Sequence, residues 1–489
     1  MNPPSDDLSR RTLDGTVRVF LAEALILPTG LLATAYLTRR LGPANFGIFA
    51  LAATLIVWVE WTIASMFNRA TFLLVAEAKD WRPVGAAVSR AHLVLGLAAM
   101  LAVQALSRPI AAALHVPDLA KYLALFALDI PLFTLAQAHR NILVGLGRFR
   151  ERALTSAGRW VGKLLLVVLL VQAGLSITGA VLGSIGASII ELGIGRWYVR
   201  PPLWRSPEYP WRPLLSYAAP LFLFALCMRA FDKIDLFAVR ALGGSLADAG
   251  TYNAAQNLSV VPGIFALSFT PVLMATLTQR LSRGDETDAR AAARNAMRVA
   301  LLLLPIAGLT AGAAPGIVEL VMGGSFRAAA DPFRLLVFGQ VALVSFSIGT
   351  AILSVAGKAV WTVALAAPLV AGSLLGDLVL IPRIGPVGAS LSLSVFAVIG
   401  ALATTMAVYR VWRILPPVVT LARSLLISAA GYAATALWPA SGFALVAQLL
   451  LFSMLALVLL LLLGEFDRAE LGLMRSLVSA LPESARRSA

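Results

Sequence analysis

The sequence predicts an all-α integral membrane protein of about fourteen transmembrane helices. Twelve form two six-helix lobes, related as parallel repeats around a central cleft, and two are appended. Three observations predict this. Apolar runs long enough to cross a bilayer recur along the 489 residues, 59% of which are hydrophobic and only 13% charged. A soluble chain carries about 25% charged residues. Lys and Arg collect on alternate connections, and landmarks of the first half return in order in the second.

A run of about 20 apolar residues matches a hydrocarbon core of about 30 Å. On that basis fourteen spans are expected, at 16–37, 47–74, 91–112, 121–144, 159–173, 177–199, 214–240, 250–277, 294–312, 332–356, 361–381, 387–408, 419–438 and 443–463. Met1–Asp14 is polar and lacks the pattern of a cleaved signal, so span 1 is expected to stay. The longest outer connection, 313–331, has 19 residues rich in Gly and Ala and reads as a loop. After Leu463, Leu471, Met474, Leu477, Val478 and Leu481 recur at helical spacing, as in a helix lying on the membrane surface.

Orientation follows from the basic residues. With the N-terminus inside, 29 Lys and Arg fall on the cytoplasmic side and 8 on the other, and Arg69, Arg229 and Lys233 lie within spans. That asymmetry puts both termini in the cytoplasm. The formal charge of +15 is therefore a topology signal and a contact surface for anionic membrane lipids, not a nucleic-acid footprint.

The repeat is explicit. Arg39-x-Leu41-Gly42, followed by Gly47-x-Phe49-x-x-Ala52, closes span 1 and opens span 2. Arg240-x-Leu242-Gly243, followed by Gly250-x-Tyr252-x-x-Ala255, does the same for spans 7 and 8. Ile142-Leu143-x-x-x-Gly147 matches Ile352-Leu353-x-x-x-Gly357, and Gly179-Ala180 matches Gly388-Ala389. The offsets run from 201–203 to 210 and 209. Six spans separate the copies, an even number, so the copies are parallel. The expected division is an N-lobe (1–213), a C-lobe (214–408) and an appended part (409–489).

Span 7 is the centre of the chemistry. It places Arg229, Asp232, Lys233 and Asp235 within an apolar helix. Each such charge costs about 2.5–3.5 kcal/mol at the bilayer centre on insertion scales. At 100° per residue, Arg229, Asp232 and Lys233 share one face, with Asp235 at its edge. That stripe belongs in a protein-lined cavity, or else Arg229 pairs with Asp232 and ties two helices together. Glu23, Glu60, Asp129, Lys163, Glu191 and Asp377 are further ionisable groups inside spans. Glu23 and Glu60 divide between cavity and structural roles. Lys163, Glu191 and Arg69 lie near span ends and read as snorkelling or structural groups, and Asp129 and Asp377 as polar packing groups. The lone Cys227 reads as a small buried hydrophobe. No Walker loop, HExxH or Cys/His cluster is present, so no enzyme, cofactor or metal is expected.

The runs Leu37-Thr38-Arg39-Arg40-Leu41-Gly42-Pro43-Ala44-Asn45-Phe46-Gly47-Ile48-Phe49, Leu146-Gly147-Arg148-Phe149, Gly250-Thr251-Tyr252-Asn253-Ala254-Ala255 and Pro386-Val387-Gly388-Ala389-Ser390 resemble bacterial polysaccharide flippases of the Wzx type. These belong to the multidrug/oligosaccharidyl-lipid/polysaccharide (MOP) exporter superfamily. The resemblance covers about residues 10–410. It implies a V-shaped, MATE-like fold that alternates between inward- and outward-open states. The implied substrate is an undecaprenyl-pyrophosphate-linked glycan, moved from the cytoplasmic to the periplasmic leaflet and drawn into a cationic cavity.

Arg229 and Lys233 match that cavity role best, with Arg69 and Arg140 as candidates for its inner half. Asp232 and Asp235 depart from a purely cationic cavity. Together with Glu23 and Glu60 they are candidates to position the cations or to carry a coupling H+ or Na+. A polysaccharide polymerase and glycosyltransferases are the partners such a flippase would serve. The competing readings are a drug or metabolite antiporter or a lipid II flippase of the same fold. A membrane glycan polymerase or ligase, which needs a large catalytic loop outside the membrane, is a reading of a different class.

Overall fold

The structure is a computed structural model in which residues 25–202 and 212–466 are described. Met1–Asp14, Glu23 and the amphipathic tail lie outside the described residues. Ten helical segments among the described residues are long and apolar enough to cross a membrane. Two of them, Pro28–Asn68 and Phe149–Tyr198, each carry two of the fourteen expected spans. The remaining pair, spans 7 (Arg212–Ala241) and 8 (Leu246–Ser259 with Val261–Ser282), are helical as well. The chain is a multi-pass membrane protein.

Spans 1 and 2 occupy one helical stretch, Ile26–Glu77, broken at Gly42, where φ is 73° and ψ 170°. A side chain rarely adopts that backbone, and Pro43 then starts the next helix with its φ already set. The two legs lie side by side. Thr29, Ala33 and Leu37 of one leg line a cavity with Phe46, Ala53 and Val57 of the other.

Spans 5 (Phe149–Leu170) and 6 (Ser176–Tyr198) turn back on each other at Gly174, whose φ is 91°. The glycines of span 6 set the closeness of that hairpin. A Cβ on Gly179 would stand 2.8 Å from the Leu170 backbone, and one on Gly183 2.7 Å from Val167. The repeat copy does the same. Spans 11 (Ala359–Ile384) and 12 (Pro386–Trp412) turn at Gly385, and a Cβ on Gly388 would stand 2.5 Å from the Leu380 carbonyl oxygen.

Other turn positions also repeat. Gly42 and Gly243, Gly147 and Gly357, and His115 and Gly323 all have positive φ. The two copies meet at Gly47 and Gly250. A Cβ on Gly47 would stand 2.0 Å from the Leu246 oxygen, and a Cβ on Gly250 2.1 Å from the Pro43 oxygen. This is the reciprocal contact of a two-fold rotation. Because the turns at Gly42 and Gly243 lie at the same end of the molecule, spans 1 and 7 run the same way. The repeat is parallel, with its axis along the bundle.

The 313–331 connection is not a loop. It folds as a short helix, Ala314–Met322, followed by a 3-10 turn, Gly324–Ala329. Val318 and Met322, four apart, bury one face of it, a periodicity hidden by the flanking Gly and Ala. Spans 13 (Val418–Leu437) and 14 (Gly442–Leu462) pack on span 9 (Glu286–Leu301 with Leu304–Gly312) through small residues. A Cβ on Gly308 would meet the Ser428 oxygen at 2.2 Å, and one on Gly312 the Thr435 hydroxyl at 2.1 Å.

Candidate functional site

Between the lobes lies a cavity of about 250 Å³. Spans 1, 2 and 5 of the first lobe and spans 7 and 8 of the second wall it. Among the described residues its charged lining groups are Lys163, Arg229 and Lys233, with no carboxylate. Thr29, Thr34, Thr54, Asn253 and Asn257 add neutral polar groups. Trp58 and Trp160 line it as well, with their indole N–H groups buried and without an acceptor among the described residues. Positive charge with hydroxyl and amide groups in a half-enclosed space makes a site for an anion with many oxygens.

Arg229 is held across the seam, with its guanidinium 5.4 Å from the centre of the Trp61 ring on span 2. The i,i+3 pair with Asp232 does not form. Asp232 instead meets its neighbour Lys233 at 3.4 Å, and both side chains stay partly exposed. A guanidinium on an aromatic face keeps its donors available.

Asp235 is not at the edge of the cavity. Its side chain is fully buried in the second lobe, where it accepts from the Tyr252 hydroxyl, from Gln256 Nε2 at 3.0 Å and from the Leu236 amide at 2.8 Å. Asp377 of span 11 is fully buried as well. The turn from Lys233 to Asp235 is about 200°, enough to carry the carboxylate to the opposite side of the helix.

Arg140 does not line the cavity. It is buried in the first lobe, where Nη1 donates to Ser156 Oγ at 3.3 Å and stands 3.6 Å from Glu191. Of the two roles read for Glu191, snorkelling or structural, its burial fits the structural one. It is buried and bound by Arg159 at 2.9 Å, and Arg159 also donates to Ser188 at 3.1 Å. The Arg159 guanidinium lies 4.4 Å from the Phe133 ring centre. Glu60 and Asp129, both buried, lie within the electrostatic reach of the same Arg159 and Lys163. Arg69 is on the span 2 helix with its side chain outside the described part, and Glu23 lies outside the described residues.

Lys163 was read as a snorkelling or structural group and lines the cavity instead. The residue pair that marks it, Trp160 and Lys163 at i,i+3, shares one helix face. Arg159 drew no attention in the sequence because it sits at the edge of an apolar run. Its partner Glu191 lies directly across the hairpin, in the register set by Val167 against Gly183.

The profile of the family described as "Polysaccharide biosynthesis protein" matches residues 13–279, more than half of the chain. The chain belongs to that family. Among solved structures, this family member is similar to "Lipid II flippase MurJ, inward closed conformation", with TM-score 0.69 and 15% identity over 91% of this chain and 98% of that one. It is also similar to an inward-facing multidrug resistance MATE family transporter of the MOP superfamily, with TM-score 0.59 and 15% identity over 81% of this chain and 95% of that one. A third similar structure is a MOP superfamily transporter from Pyrococcus furiosus, with TM-score 0.61 and 14% identity over 82% and 95%. These likenesses give the polysaccharide biosynthesis chain the V-shaped fold of that superfamily. No curated protein matches it.

Proposed function

We propose that the protein is a flippase carrying undecaprenyl-pyrophosphate-linked oligosaccharide across the bacterial inner membrane by alternating access. The observation that carries this reading is the composition of the chamber: among the described residues its charged lining groups are Lys163, Arg229 and Lys233, with no carboxylate. A pyrophosphate and its sugars cannot cross about 30 Å of hydrocarbon unaided, and a cationic, hydroxyl- and amide-lined chamber supplies the missing partners. A cationic drug would meet three positive charges there, which disfavours the antiporter reading. The chain is on this reading a carrier and not an enzyme, supplying a glycan polymerase on the far side from glycosyltransferases on the near side.

With both termini cytoplasmic, the end where Gly47 meets Gly250 is periplasmic, and the chamber opens inward. Residues 1–213 and 214–408 move as the two rocking units, with 409–489 riding on the second. The coupling H+ or Na+ is assigned to the buried carboxylates, Glu60 with Asp129 in one lobe or Asp235 with Asp377 in the other.

The test is export of surface polysaccharide in a strain whose only copy carries Arg229→Ala. Losing charge-assisted hydrogen bonds worth about 1.5–3 kcal/mol lowers flux roughly tenfold to a hundredfold, with insertion intact and partial rescue by Arg229→Lys. Because Arg229 and Asp232 are not paired, adding Asp232→Ala gives no rescue. Wild-type export by Arg229→Ala overturns the reading.

A further inference from the structure

The hairpin between spans 8 and 9 reaches past the end of the appended helices. Span 14, a strongly apolar helix of 21 residues, ends at Leu462, so that level marks one edge of the hydrocarbon. Just beyond it, Glu465 meets Arg298 of span 9 at 2.8 Å and Arg423 of span 13 at 3.0 Å. Gly308 packs on Ser428 and Gly312 on Thr435, so spans 9 and 13 run the same way. Residues 286–298 therefore lie outside that edge, and they extend about 20 Å from it. Their charges, Glu286, Asp288, Arg290, Arg294 and Arg298, suit water rather than lipid. Across the turn at Gly284, Arg280 Nη1 donates to the Asp288 oxygen at 2.7 Å and sets the end of span 8 antiparallel beside them.

A groove of about 510 Å³ runs between these two helices. Val272 and Val299 supply apolar walls, Thr276 and Asn295 polar ones, and Arg280 and Arg298 the charge. Among the described residues no carboxylate lines it. The chain passes its inner end at Phe466, whose ring centre is 6.0 Å from the Arg298 guanidinium. A helix continuing from Phe466 would rise about 16 Å by Leu477, and the groove wall from Phe269 to Arg280 has about the same length.

The sequence after Phe466 matches that groove in charge as well. At 100° per residue, Leu471, Met474, Leu477, Val478 and Leu481 share a face about 120° wide. Asp467 and Glu470 fall on the same face, and Arg468 and Arg475 fall outside it. A helix lying on anionic lipid is rich in cations, whereas this one would press two carboxylates into the bilayer. Against Arg280 and Arg298 the same two carboxylates are complementary. Arg294, exposed one turn before Arg298, adds a cation at the rim.

We propose that residues 467–478 of this chain dock as a helix in the groove, with Leu471, Met474 and Val478 on its apolar walls and Asp467 and Glu470 against its arginines. Seated there, the segment straps the appended spans to the projecting hairpin of the second lobe. The seat is independent of what the chamber carries.

The test is disulfide crosslinking of the full chain in phosphatidylglycerol-containing nanodiscs, with Cys227→Ala as background. Ala291→Cys, at an exposed position of the groove wall, is paired with Met474→Cys on the docking face or Arg475→Cys off it. The Met474 pair should form at least tenfold faster than the Arg475 pair. A second arm combines Asp467→Lys with Glu470→Lys. In the groove these lysines oppose arginines, so the Met474 crosslink should slow at least tenfold and trypsin should cut after Arg475 at least tenfold faster. A segment lying on the membrane would respond the other way, gaining hold on anionic lipid and resisting trypsin. Equal crosslinking at Met474 and Arg475, or slower cleavage in the lysine variant, overturns the docking.

Discussion

Arg39 and Arg240 occupy equivalent places in the two repeats, and each donates to backbone carbonyls of the opposite lobe. Arg39 Nη2 reaches Leu320 O at 2.5 Å and Nε reaches Val321 O at 3.4 Å. Arg240 Nη2 reaches His115 O at 2.9 Å while its Nη1 holds Gly244 O at 2.6 Å. Both targets lie at the ends of helices, where carbonyls lack partners and the helix dipole favours a cation. The lobes are thus fastened at one end by two copies of one contact, and swinging that end open must break both.

Removing either arginine should therefore favour the state open at the Gly47–Gly250 end. A hydrogen bond from a charged group contributes about 1.5–3 kcal/mol, so each of Arg39→Ala and Arg240→Ala should shift the two-state ratio roughly tenfold to a hundredfold. The double variant should shift it further, since the contacts share no partner. Spin-label distances across the seam measure this. Unchanged distances in the double variant would show that the contacts do not hold the end closed.

Gly47→Val tests the same end by steric means. With the Leu246 oxygen 2.0 Å from the Cβ position and backbone, not a flexible side chain, in the way, the lobes must separate locally. The expected outcome is increased water access to Phe46 and Tyr252, read by labelling cysteines placed there, and slower transport. Wild-type labelling and transport would mean that the seam yields without opening.

Arg159 neutralises a buried carboxylate deep in the first lobe. Arg159→Met leaves Glu191 only Arg140, 3.6 Å away, and should cost up to about 3–5 kcal/mol. Arg159→Met with Glu191→Met should recover part of that loss, because the under-paired carboxylate is gone, but not all of it, because Arg140 then loses its buried partner. Thermal unfolding in detergent reads both, and a double variant no more stable than the single one would contradict the pairing.

Glu465, just past span 14, gives a pH-dependent stability. Burial alone would raise its carboxyl pKa, but hydrogen bonds from Thr420, Arg298 and Arg423 outweigh that and hold it below the ordinary carboxylate value. A lowered folded-state pKa means the stabilisation is complete above the unfolded value of about 4.3 and is lost as pH falls through the folded one. The melting temperature of wild type should drop on acidification more steeply than that of Glu465→Gln, which starts lower at neutral pH. Parallel pH curves would remove Glu465 as the source.

The spans, the parallel repeat and the place of Arg229 and Lys233 beside a cavity were legible because each leaves a local trace: an apolar run, a glycine offset, a charge where lipid tolerates none. Side-chain direction was less legible. Asp235 and Lys233 are two residues apart and face different worlds, which depends on how span 7 is rotated against Tyr252 and Gln256. Arg140 and Glu191 were separate marks in the sequence and became one network only when spans 4, 5 and 6 packed. Long-range pairing of this kind carries no periodic signal. The helix inside 313–331 was masked for a simpler reason: Gly and Ala at its edges diluted five apolar residues, Ile317, Val318, Leu320, Val321 and Met322.

The glycine contact has a further consequence for where such a chain comes from. Gly47 meets the backbone at Leu246, and Gly250 meets the backbone at Pro43. Each half offers its copy the surface that it accepts in return. A six-span half with this surface needs no partner other than itself, and duplication followed by fusion would conserve the assembly without inventing a contact. Only afterwards could one copy gain Arg229 and Lys233 where the other holds Pro28 and Leu32. Fusion is what allows a symmetric pair to carry different charges in its two halves.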